Sequence, residues 1–283
     1  MGNKIDLHLH TNASDGADTP QELLDIVHAA DLDMYAITDH DTIDGMLAVD
    51  ALAAGDPGYI RGVEFSCVTP YKKCHILGYN FDPNAPLFQE ALAQCKALRH
   101  EKVEGRIRYW AEHFGIVLTE EESNWIHSQG SVGKPHFGNI ILNRGLASDL
   151  KTAIANYVNT CKVPDKRIDA DLAIRAIREA GGVAVWAHPL GGENEKRLTR
   201  EEFYAQLDYL AKEGIQGLEC HYSRYTWAEA DFLTAQAEKY GLLISGGSDY
   251  HGSNKPNLHA AKLNAEDTDV PPEALTLCQL LKK

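Results

Sequence analysis

Basic residues are scarce in this chain: 27 lysines and arginines stand against 41 aspartates and glutamates, a formal net charge of −14 at pH 7. Non-specific binding to a nucleic-acid polymer depends on neutralising phosphates with such cations, so no nucleic-acid polymer is expected as a partner. A local basic pocket for one phosphate stays open. Long apolar runs are also missing. No stretch approaches the roughly 18 consecutive residues that a membrane span needs. No basic-then-apolar leader pattern opens the sequence, and a cytoplasmic protein without a membrane partner is the expectation. The six cysteines contain no C-x-x-C and no dense framework, which points to free thiols in a reducing compartment. Gly246-Gly247 is no phosphate loop, because no G-x-x-x-x-G-K-[ST] surrounds it.

What is present is a chain of 283 residues, enough for one large α/β domain or a core with an inserted module. It begins with "IDLHLHTNASDG", where Ile5, Leu7 and Leu9 face one way in a strand and Asp6, His8 and His10 the other. Strand and helix alternate from there. Thr19–Ala30 reads as a helix capped by Thr19 with Glu22 as its capping-box partner. The alternation returns at Asp169–Ala180, "VAVWA", Glu201–Glu213, Gly217–Cys220, Thr226–Tyr240 and "LLISGGSDYH". So many strand–helix units argue for an α/β barrel with a parallel sheet. Between about Pro86 and Val163 the apolar positions recur at helical spacing instead. The expected domains are therefore a barrel from residues 1–85 and 164–283 and an all-helical insertion or cap over 86–163.

Polar residues mark the ends of the barrel strands. They are His8, His10 and Asp15, His40 in "ITDHD", Glu64 in "GVEFS", His75, His188 in "VWAHPL", and Asp249 with His251 in "GGSDYH". Six of the 13 histidines thus fall where a β/α barrel builds its active site. An H-x-H pair alone is weak evidence, and Glu64 or Asp249 could instead cap turns. Together the nine N/O donors exceed the needs of one metal ion. Two to three divalent ions (Mn2+, Fe2+ or Zn2+) are implied, bridged by a carboxylate such as Glu64. His28, His100, His113 and His127 lie in helical segments and read as surface or core residues. His136 in "GKPHFGN" and His221 in "ECHYSRY" are candidate substrate contacts, with His221 also a candidate acid.

The motifs "DLHLHTNASDG", "AITDHD", "GVEFS", "CHILGYN", "AHP" and "GGSDYHG" resemble, in order, those of the PHP (polymerase and histidinol phosphatase) family, over some 200 residues. The likeness is nearest to its stand-alone phosphoesterases. It implies a distorted (β/α)7 barrel of the amidohydrolase superfamily with a small helical insertion. By the same resemblance His8, His10, Glu64 and Asp249 hold a first ion, Glu64, His75 and His188 a second, and Asp15, His40 and His251 a third. Glu64 and Asp249 then carry the catalysis. Two departures stand out. Several nucleotide-directed relatives have Gly-Arg where this chain has "HPLGGENEKR", and Lys134 occupies a position that is often Arg. The expectation is a metal-dependent phosphoesterase for a small phosphorylated metabolite. A cyclic sugar phosphate of the phosphoribosyl 1,2-cyclic phosphate type, opened and then dephosphorylated, is preferred. The alternatives are a nucleoside 3′,5′-bisphosphate phosphatase and an amidohydrolase of C–N bonds. Lys134, His136 and Arg224, with Lys196 or Arg197, are the candidates for a second, non-reacting phosphate.

Overall fold

The computed structural model describes residues 4–192 and 196–281. Strand β1 (Lys4–Leu9) pairs in parallel with β2 (Leu32–Ile37), and β2 with β3 (Tyr59–Val68). Helix α1 (Pro20–Ala29) joins the first pair, and the Thr19–Glu22 capping box starts it by satisfying orphan backbone donors at both ends of the motif. Helix α2 (Asp44–Leu52) joins the second pair.

The parallel order breaks at β4 (Lys73–Tyr79), which runs antiparallel to β3. A two-residue strand, β5 (Ile168–Asp169), extends the far end of β3. Strand β6 (Val183–Trp186) is again antiparallel to β4, and β7 (Gly217–Tyr222) and β8 (Leu243–Gly247) resume the parallel run. The His10 N–H donates to the Tyr250 carbonyl at 3.0 Å, beside a bridge between Leu9 and Tyr250, so the first and last strands meet. The result is a nearly closed barrel of seven strands, distorted at β4. That reversal changes one detail of the strand-end reading. His75 stands near the start of β4, and only because the strand is antiparallel does that start lie beside the exits of its neighbours.

Between Tyr79 and β5 every regular element is helical: α3 (Pro86–Phe114), α4 (Glu120–Ser128), α5 (Lys134–Asn143) and α6 (Leu150–Ala153), the last running into a π-turn over Ile154–Val158. Trp110, Ile126, Phe137 and Ile140 give this segment its own buried cluster. The Trp110 indole N–H donates to the Tyr157 carbonyl at 2.8 Å, which a buried Trp requires. Helix α3 belongs to both bodies. Its first turns put Phe88, Ala91 and Cys95 into the barrel core, while Val103 and Trp110 enter the helical cluster. Helices α7 (Ala170–Glu179), α8 (Arg200–Glu213), α9 (Trp227–Tyr240) and α10 (Leu277–Leu281) clothe the rest of the barrel, with Ala173, Ile174 and Ile177 of α7 in its core. All six cysteines are free, and no helix among the described residues is long and apolar enough to cross a membrane.

Candidate metal centre

The nine donors singled out in the sequence come together at one mouth of the barrel. Glu64 is the hub. Its Oε2 lies 3.0 Å from His8 Nε2, 3.2 Å from His10 Nε2 and 3.1 Å from His40 Nδ1. Its Oε1 lies 2.9 Å from His75 Nδ1 and 3.2 Å from His188 Nε2. Five imidazoles thus converge on one fully buried carboxylate, three on one oxygen and two on the other. Asp249 Oδ1 is 3.6 Å from His8 Nε2 and 3.4 Å from His10 Nε2. Asp15 Oδ1 is 3.1 Å from His251 Nε2 and 3.8 Å from His40 Nε2.

The donor set fits divalent cations. Both ring nitrogens of His10, Nδ1 of His40, Nε2 of His251 and Oδ1 of Asp15 are buried without a hydrogen-bond partner. Lone pairs aimed at one another in a dry site are costly unless a positive centre lies among them. Two tautomers are fixed from behind. His8 Nδ1 donates to Glu219 Oε1 at 2.8 Å and His251 Nδ1 to the Asp249 carbonyl at 2.7 Å, so each Nε2 offers its lone pair to the cluster. The ligands are imidazole and carboxylate with no thiolate, the chemistry that suits zinc, manganese or iron.

Burial opposes charge throughout. It would raise Glu64, yet His40, His8 and His75 hold its carboxyl well below the usual carboxylate range. It would lower His10, yet Asp249 and Glu64 push that ring up to about 9. At His40 burial wins, and the ring stays well below the ordinary imidazole value. Protons and cations compete for the same lone pairs here. The backbone is shaped for the site as well: Asp249 at φ 56° and His188 at φ 29° adopt left-handed conformations uncommon for residues with a Cβ. Gly247 is small for a related reason, since a Cβ there would strike the Cβ of His8 and crowd Glu219.

Several supporting residues escaped the sequence reading. Glu219 accepts from His8 and also from the His188 backbone N–H at 2.7 Å. Tyr222 Oη and Lys255 Nζ each donate to Asp249 Oδ2 at 3.0 Å. Asp39 accepts from Thr11 N, Thr11 Oγ1 and Ser14 Oγ at 2.8, 2.6 and 2.5 Å, shaping the turn that delivers Asp15. The available signal was a charged residue inside an otherwise apolar strand, as Glu219 is in "GLECHY". Glu219→Gln is expected to weaken divalent-cation binding by about 10–100-fold. Metal retention across a series of chelator strengths measures it, and unchanged retention would leave Glu219 a packing role only.

Beside the centre runs a cleft of about 730 Å3, reached by Asp15, His40, His75 and His251 and walled by Arg99, Lys102, Arg106, Lys134, Arg167 and Lys255. Lys134, at the first turn of α5, lines this cleft. The other expected substrate contacts do not. His136 is buried and its Nδ1 accepts the Gly133 N–H at 3.1 Å, so the ring closes the start of α5 instead of lining the cleft. His221 is turned away by an irregularity in the β7–β8 register between Glu219 and His221, and packs 5.8 Å from Trp227. Arg224 is exposed, its carbonyl taken by Arg197. Lys196 and Arg197 line a smaller cavity of about 420 Å3 that His75 and Arg167 also border. Arg197 is further engaged by Glu229 at 3.3 Å and lies over Tyr225.

Comparison with known proteins agrees with this geometry. The PHP domain model matches residues 6–162. The 3′,5′-nucleoside bisphosphate phosphatase of Chromobacterium violaceum is 31% identical over 276 residues, 95% of this chain and 93% of that protein. A 5′-3′ exoribonuclease of Haemophilus influenzae is 32% identical over 256 residues, 89% of this chain and 91% of that one. The phosphoribosyl 1,2-cyclic phosphate 1,2-diphosphodiesterase of Eggerthella lenta is 27% identical over 254 residues, covering 87% and 94%. Among solved structures, one described as a metal-dependent phosphoesterase from Bifidobacterium adolescentis superposes with a TM-score of 0.81 at 25% identity, over 99% of this chain and 97% of that one.

Proposed function

The chain belongs to the PHP family, and on that premise we propose that it releases phosphate from a small nucleoside or sugar bisphosphate, one phosphate reacting at the metal centre and the other held in the cationic cleft. It is a metal-dependent phosphoric ester hydrolase. C–N hydrolysis is set aside, since a cleft walled by cations suits a phosphorylated substrate.

One observation carries the finer reading. Arg106 is 6% exposed, lines the cleft, and among the described residues donates no hydrogen bond to the protein. Its guanidinium lies over the Phe137 ring at 5.3 Å and feels the charge of Asp165 without a hydrogen bond to it, and an anionic ligand in the cleft would offset the cost of its burial. Arg99 is different, held at 2.5 Å by Asp41 and at 3.2 Å by Ser66, and so serves as a fixed wall. The cleft is therefore not short of guanidinium groups despite "HPLGG" standing where relatives carry Gly-Arg. This supports a substrate with a second phosphate, a feature that a nucleoside bisphosphate and a phosphoribosyl cyclic phosphate share. The higher identity to the Chromobacterium relative favours the bisphosphate, and the Eggerthella relative supports the cyclic sugar phosphate as the second reading.

In this reading His8, His10, Glu64 and Asp249 hold one cation, Glu64, His75 and His188 a second, and Asp15, His40 and His251 a third. Bound cations of this kind supply a nucleophile at neutral pH and stabilise charge on the phosphoryl oxygens. The protein's own part is placement. Glu219, Tyr222 and Lys255 hold the ligands rigid, and Lys134 with Arg106 orients the substrate by its remote end. Phosphate release with manganese present tests the reading on a nucleoside 3′,5′-bisphosphate, the matching monophosphate, a ribose cyclic phosphate and a 5′-phosphorylated RNA oligomer. The bisphosphate should give the highest kcat/KM. An equal or higher value for the monophosphate or the RNA would overturn the assignment.

A further inference from the structure

Away from the cleft, three donors meet on the surface of the helical segment. His100 and Glu104 stand one turn apart on α3, and His127 sits in the last turn of α4. One ligand atom from each lies within 4.8 Å of the other two. None of the three lines either cavity. We propose that His100, Glu104 and His127 form a separate site for a single zinc-like cation that clamps α3 to α4.

The ring of His127 carries the argument. Its Nδ1 lies 2.6 Å from the Ser123 carbonyl, which can only accept, so that nitrogen bears the hydrogen. In the neutral ring Nε2 then presents a lone pair, and it faces Glu104 Oε1 at 2.7 Å. A lone pair against a carboxylate is repulsive, and either a proton or a cation must settle it. A proton accounts for His127 and Glu104 alone. It gives no part to His100, whose ring centre lies 6.0 Å from that of His127. A cation uses all three groups as a His2Glu set with a position left for water, in the tetrahedral arrangement zinc favours. That arrangement needs donor atoms about 3.3 Å apart, since zinc ligands stand about 2.0 Å from the metal. The exposed His100 side chain can close the distance by rotation. His127 and Glu104 are about one-third exposed, so the site is reachable from solvent.

The clamp would act on the cleft through α3. The same two turns that carry His100 and Glu104 outward send Arg99, Lys102 and Arg106 towards the substrate side. Fixing α3 to α4 would hold those cations in place.

The test compares the manganese holoenzyme with its H100A/H127A variant, because the catalytic centre is the same in both and cancels in the difference. After dialysis against micromolar zinc, wild type should retain one more equivalent of divalent metal than the variant. Zinc should slow amide exchange in segments 97–106 and 120–128 of wild type only, and raise its Tm by about 5 °C when zinc is in roughly hundredfold excess over Kd. Before zinc is added, phosphatase activity should be the same in both proteins. Equal metal equivalents and equal exchange would mean that His127 and Glu104 form a protonated ion pair and that no clamp exists.

Discussion

Glu64→Gln is expected to lower kcat/KM on the order of 1,000-fold and to remove at least one equivalent of divalent metal. The substitution is nearly isosteric, so the barrel should fold, and its effect isolates charge. Glu64 meets both halves of the cluster: His8, His10 and His40 on one oxygen, His75 and His188 on the other. An amide offers one oxygen and one N–H group in place of two anionic oxygens. One half would then confront a donor where it needs an acceptor, and on the proposed assignment two cations would lose their shared counter-charge. The loss in rate is the loss of stabilised charge in the transition state. His28→Ala is the control, an exposed residue of α1 whose Nε2 stands 3.8 Å from Asp56 Oδ2. It should change neither quantity. Full metal content in Glu64→Gln would show that the carboxylate does not bridge, and equal losses in both variants would place the centre elsewhere.

The difference between the environments of Glu64 and His28 is legible in the sequence. Each of the nine donors lies in a barrel strand or in the loop that leaves one, where a β/α barrel builds its site. The cleft was not legible, and the reason is physical. Arg99, Lys102 and Arg106 occur in "CKALRHEKVEGRIRYW" at helical spacing, which in sequence is indistinguishable from the solvated face of an amphipathic helix. Only the tertiary packing of α3, whose first turns enter the barrel core, brings that face to the cleft. The net charge of −14 leaves a local basic pocket open but does not locate it, because it averages over the molecule a cationic wall confined to one cleft. His136 and His221 fail differently. A histidine near a motif satisfies residue chemistry whatever its direction, and direction is decided here by a helix start and by a strand irregularity.

Arg106→Met should separate stability from catalysis. Methionine fills much of the same volume without a charge, and the residue lies beside the Phe137 ring at 5.3 Å in largely apolar surroundings. Burial already pushes the Arg106 pKa down, the sign of an environment that disfavours its charge. Removing it should leave Tm unchanged or raise it by a few degrees. The enzyme should pay in selectivity. A charge-assisted contact to a remote phosphate contributes binding energy that orients the reacting one, and its loss should cost the bisphosphate about 100-fold in kcat/KM. The monophosphate, which has nothing to offer that contact, should lose less than about threefold. Metal content should not change, since Arg106 touches none of the nine donors. The ratio of the two substrates is therefore the decisive measurement. If both fall together, Arg106 supports the fold of α3 and the second phosphate binds elsewhere in the cleft. If neither falls and Tm still rises, the buried guanidinium has no substrate to meet, and the bisphosphate reading goes with it.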